Sequence, residues 1–192
     1  MRLPARFRER ITLIGVGAVG RHAALLLASA GAKDLQLVDR AVVGARQVST
    51  QGYFADDIGR AKVHATADIC QQINPQLNIG ELHCRFQPSI KTGEIVFCCV
   101  SSSTERTKIR RSLVNCRFCG DAIVSGDSVR VRSFVGNVTS ELSATAVEHN
   151  TKRRPATLPA ATVAAAFLVR QFLQFVAGQQ LNSEVEFDLL QG

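Results

Sequence analysis

Residues 13–41 read LIGVGAVGRHAALLLASAGAKDLQLVDRA, and this stretch decides the fold. It begins inside RITLIGVG, a continuous apolar run ended by glycine, which suits a central parallel strand. Gly15, Gly17 and Gly20 then match G-x-G-x-x-G. Gly15 permits a tight turn, Gly17 lets backbone approach a phosphate, and Gly20 lets the following helix pack on the strand. That helix presents free N–H groups and the positive end of its dipole to an anion. Asp39 closes the next strand, where its carboxylate can accept hydrogen bonds from ribose hydroxyls. The pattern predicts a nucleotide; the glycines and Asp39 alone suit NAD as well as ATP.

Outward from this stretch, strands and helices alternate, which predicts an α/β chain with a doubly wound, Rossmann-like sheet. The first helix runs from Ala18 and is closed by Gly31. DDIGRAKVHATADICQQINP places Lys62, Thr66, Ile69 and Ile73 at helical spacing and stops at Asn74 and Pro75. LNIGELHCRF and EIVFCCV read as strands three and four, and STERTKIRRSLVNCRFCG as a helix that stops at Gly120. AIVSG reads as a short buried strand. VRVRSFVGNV alternates polar and apolar, so the sheet is expected to be mainly parallel with antiparallel strands toward the C-terminus. Residues 139–158 read as a connecting loop, Ala160 to Ala177 as an apolar helix, and EVEFDLL as a last strand.

The 192 residues suit a single domain spanning 1–192, with enough chain to bury one core. Hydrophobic residues at 46% and charged residues at 20% argue against global disorder. No signal-peptide pattern is present, and the run from Ala160 to Leu173 is broken by Arg170 and Gln171, so a buried helix rather than a membrane span is expected. Cys116 and Cys119 form a lone C-x-x-C without the second pair that a structural zinc site needs, so no metal site is expected there. Reduced thiols and a cytoplasmic location are the expectation. The net charge of +7, with no Trp and one Tyr, offers no stacking platform for single-stranded nucleic acid; an acidic protein or a phosphate-bearing ligand accounts for it.

GVGAVG, LASAG and LQLVD, followed by STQGYF, DIGRAKV and INP, then AIVSG and the alanine-rich helix before EFDLL, resemble the ThiF/HesA/MoeB group. That group is related to ubiquitin-like-protein activating enzymes. The DIGRAKV to INP block is the specific part. The resemblance implies ATP binding, with magnesium expected if the site is active, and adenylation of the C-terminal glycine of a ubiquitin-like or sulfur-carrier protein. It also implies a homodimer. It places Asp39 at the ribose, Lys62 at the phosphates, Gln51 at the glutamine of the family's N-x-x-R-Q, and Arg106 at an arginine after the fourth strand.

The sequence also departs from the family's pattern. Ala41 stands where the second acid of D-x-D belongs, Thr50 where the phosphate-facing arginine belongs, and Ser101 where an acidic residue follows strand four. Arg46, four positions before Thr50, is the candidate replacement cation, and Arg6 and Arg8 are candidates for arginines near the amino terminus. The site is therefore expected to be partly degenerate. Two further readings stay open: a non-catalytic dimer or partner-binding subunit of the same family, and an NAD-dependent oxidoreductase supported by the glycine loop alone.

Overall fold

A computed structural model describes residues 2–136 and 154–190. Seven strands form one sheet in the order β3-β2-β1-β4-β5-β6-β7. They are β1 (Ile11–Ile14), β2 (Asp34–Val38), β3 (Asn78–Leu82), β4 (Ile95–Cys98), β5 (Phe118–Ser125), β6 (Ser128–Val135) and β7 (Glu184–Asp188). β3, β2, β1, β4 and β5 run parallel, with Leu13 opposite both Leu37 and Phe97. β6 and β7 join antiparallel. The chain order reverses between β1 and β4, which places a crevice at the carboxyl ends of the central strands.

Helices α1 (Ala18–Ser29), α3 (Lys62–Ile73) and α5 (Leu158–Val176) share one apolar core with one face of the sheet. Leu27, Leu35, Phe97, Phe118 and Phe172 are among the side chains that fill it. α5 is apolar and long enough to cross a membrane, yet it packs along α1, β5 and β6. The short α2 (Ala45–Gln51) touches α1 and α5. α4 (Ser103–Ser112) covers part of the other face, where Ile14, Val96, Cys98, Ile109 and Cys119 form a smaller cluster. Buried Asp121 on that face accepts from Arg110 Nη1 at 2.7 Å and Arg132 Nε at 2.9 Å. An aspartate so enclosed is tolerated because guanidinium groups satisfy it.

Three boundaries differ from the sequence expectation. α4 ends at Ser112, Asn115 turns the chain with φ 57°, and Phe118 to Gly120 pair with Ile95 to Phe97 of β4. Gly120 is therefore a strand residue rather than a helix stop. A Cβ there would lie 2.6 Å from Leu168 Cδ1 on α5, so a side chain at this strand position would have to displace the end of Leu168. The helix read through DDIGRAKV is likewise broken. A 3-10 turn at Ala55–Asp57 is followed by Gly59 at φ +87°, and α3 starts at Lys62 after Ala61 pairs with Val42. α5 starts two residues earlier than read, with Thr157 as its cap. Of the connecting loop read at 139–158, residues up to 153 lie outside the described residues.

Candidate functional site

A cavity of about 660 Å³ opens at the carboxyl ends of β1, β2 and β4. Gly15, Gly17, Asp39, Gln51, Lys62, Ser101 and Arg106 line it. These come from segments far apart in sequence, brought together by the parallel register.

Gly15 and Gly20 take the turn and packing roles that their spacing predicts. Gly15 has φ +91°, a left-handed value that disfavours a side chain. A Cβ on Gly20 would lie 1.9 Å from the Gly15 carbonyl oxygen, so Gly20 serves packing and stands outside the lining. Gly17 is the N-cap of α1; no side chain caps it and no acid sits in the first turn. The first amides of α1 thus lack a side-chain acceptor at the floor of the cavity, an arrangement suited to an anion.

Asp39 faces the glycine loop. Its Oδ2 accepts from the Val16 amide at 2.7 Å and its Oδ1 from the Ala41 amide at 2.8 Å. The carboxylate therefore braces the loop against the end of β2, a role sequence spacing did not suggest. Each oxygen retains a second lone pair for a hydroxyl donor.

Lys62 is the first residue of α3 and only 6% exposed. Its Nζ donates to Gln51 Oε1 at 2.8 Å, which joins the two residues the sequence singled out. Burial pushes the Lys62 ammonium below its ordinary range, and the Asp39 charge opposes that shift. A neutral amide partner leaves the ammonium's charge uncompensated at close range and available to an anionic ligand.

A second wall comes from β4 and α4. Ser101 lines the cavity and Ser102 caps α4, its Oγ accepting from the Glu105 amide at 3.3 Å. Arg106 is buried, with Nη2 donating to the Val100 carbonyl at 2.8 Å. At the mouth, Arg85 pairs with Glu105 at 2.7 Å, and Arg40 and Arg154 add basic charge. Sequence reading missed Arg40 and Arg85, which lie beyond the ends of β2 and β3. The signal available was that residues just past parallel strands face the crevice.

Other expected residues lie elsewhere. Arg46 is exposed on α2 and stands outside the lining. Thr50 gives its hydroxyl to the Arg46 carbonyl at 2.8 Å, so that segment's polar groups serve its own helix. Arg6 and Arg8 line a separate hollow with Phe7, Arg117 and Phe175, beside the amino ends of the strands. Within one chain they are at the wrong end of the sheet for the cavity. The Cys116 and Cys119 thiols are buried, and the Cys116 thiol donates to the Phe118 carbonyl at 3.2 Å.

Molybdopterin-synthase adenylyltransferase of Salmonella typhimurium is 27% identical over 129 residues, covering 66% of this chain and 52% of the relative. The Haemophilus influenzae protein of that description is 28% identical over 137 residues, covering 69% and 56%. Sulfur carrier protein ThiS adenylyltransferase of Escherichia coli is 28% identical over 112 residues, covering 55% and 45%. The chain spans about half the length of the curated relatives it matches. In fold it is similar to E. coli MccB, with a TM-score of 0.80 at 17% identity over 94% of this chain and 59% of that one. The profile of the ThiF family matches residues 6–188, nearly the whole length, and the chain belongs to that family.

Proposed function

We propose that this chain binds ATP in the cavity at the carboxyl ends of β1, β2 and β4. We further propose that it is related in activity to enzymes that adenylate the C-terminal glycine of a ubiquitin-like or sulfur-carrier protein, with a partly degenerate active site. The observation that carries the reading is the junction of an uncapped α1 terminus, Asp39 and the buried Lys62–Gln51 pair around one cavity. Similarity to adenylyltransferases of two carrier systems supports it, as does a structural neighbour described as MccB with ATP.

In such a reaction a carboxylate oxygen of the terminal glycine attacks the α-phosphorus, an acyl–phosphate bond forms, and the α–β bond breaks with its electron pair leaving on pyrophosphate. This chain's part is to hold the polyphosphate on the α1 amides, to balance its charge with Lys62, and to seat the ribose at Asp39. Gln51 keeps the Lys62 ammonium directed into the cavity. A protein-built magnesium site does not fit the residues present. Of the two carboxylates in the lining, Asp39 already accepts from two backbone amides and Glu105 is paired with Arg85, and the positions where the family carries further acids are Ala41 and Ser101. No step is assigned to a protein-held metal.

Each missing charge-stabilising group removes roughly a hundredfold or more of rate. The expected outcome is saturable ATP binding by titration calorimetry without competition from NADH, and slow ATP–pyrophosphate exchange in the presence of a carrier ending in Gly-Gly. Absence of ATP binding overturns the reading. ATP binding with no exchange at all selects the second reading, a non-catalytic partner-binding subunit, which the substitutions at Thr50 and Ser101 favour.

A further inference from the structure

Three successive polar groups before α1 are each fastened. The Gly15 amide donates to the Val38 carbonyl at 2.8 Å and the Val16 amide to Asp39 Oδ2 at 2.7 Å. The Val16 carbonyl accepts from Tyr53 Oη at 2.6 Å. Gly17 follows as the N-cap, so the direction of the free α1 amides depends on how firmly the Val16 peptide is held. Tyr53 is buried and arrives from the segment after α2. Its hydroxyl has a second neighbour, Thr66 Oγ1, at 3.2 Å.

The ring is held by cations. Arg21 Cζ lies 4.6 Å from the Tyr53 ring centroid and 5.7 Å from that of Phe54, and Lys62 Nζ lies 5.9 Å from the Tyr53 centroid. Arg21 is 2% exposed, and its Nε and Nη1 have no hydrogen-bond partner among the described residues. A buried guanidinium with idle donors is costly. The aromatic faces are what offset that cost here. Burial also pushes the Tyr53 phenol above its ordinary range, so the hydroxyl keeps the proton it donates to Val16.

We propose that Tyr53 is a positioning residue for the ligand-binding loop, clamping the Val16 carbonyl opposite the Asp39 clamp on its amide, and that Arg21 acts through Tyr53 by loading its ring. The effect on affinity rests on the ATP reading; the clamp is a property of the unliganded chain.

Hydrogen exchange on the full chain tests it. Tyr53→Phe keeps the ring and its volume. It should speed exchange of the amides at 15–18 by about tenfold while leaving β2 and β4 unchanged, and it should weaken ATP binding several-fold. Arg21→Met should act in the same direction and less strongly. Thr66→Val, which removes only the other neighbour of the hydroxyl, should leave the loop unchanged. Unchanged loop exchange in Tyr53→Phe overturns the proposal, as does equal acceleration throughout the sheet, which marks a merely structural role. A loosened loop in a chain that never binds ATP upholds the clamp and overturns the ATP reading alone.

Discussion

The two walls of the cavity spend their polar groups differently. On the wall built from α1, the end of β2 and α3, Asp39 holds two amides, Tyr53 holds a carbonyl and Gln51 holds Lys62. Those bonds fix the wall while leaving the α1 amides and the ammonium directed at the cavity. On the wall built from β4 and α4, Ser102 caps the helix, Arg106 reaches back to Val100 and Glu105 is engaged by Arg85. There the polar groups secure the start of α4. The difference teaches why the position carrying an acid in the family can be Ser101 here with the fold intact. A helix terminus needs an oxygen acceptor, which Ser102 supplies, so the cap of α4 does not depend on a charge at 101.

The largest expected effect breaks the first wall outright. Gly20→Ala drives a methyl group into the Gly15 carbonyl, and chemical denaturation should show a loss of about 3 kcal/mol or more. Next, Lys62→Met separates binding from stability. ATP affinity should fall about tenfold or more, while the unliganded protein gains stability at neutral pH. The sign follows from the depressed ammonium. Protonated Lys62 opposes folding, so the wild type gains stability as pH rises through that lowered value toward the ordinary 10.5. Its ATP affinity should decline over the same range. Thermal melts and titrations across alkaline pH check both halves, and the variant should be flat where the wild type changes. The smallest effect sits on the second wall. Glu105→Gln opens an exposed pair contributing about 0.5 kcal/mol or less, and it frees Arg85, so ATP should bind slightly more tightly in low salt. A loss of affinity there would place Glu105 with the ligand and erase the contrast between the walls.

The glycine loop and Asp39 were legible because each follows from local spacing, a strand, a turn and the end of the next strand, whereas Lys62 was singled out through the family resemblance. The parallel core was legible because RITLIG and EIVFCC are apolar throughout. Gly120 was misread because its reason lies in α5, a partner distant in sequence, and a glycine after a polar helix looks locally like a stop. The break before Lys62 was hidden for a similar reason, since the pairing of Ala61 with Val42 is a tertiary contact. Arg46 was assigned by proximity to Thr50, but seven residues of helix aim its side chain at solvent. The clamp by Tyr53 left no trace because nothing in GYF specifies which carbonyl a hydroxyl will meet.

α5 lies against α1 although most of the chain separates them in sequence. During synthesis on the ribosome, the glycine loop emerges well before α5, and the face of α1 that α5 covers stays bare until α5 has emerged. A truncated or stalled chain would therefore expose the apolar back of its own binding floor, the kind of surface that chaperones retain and proteases clear.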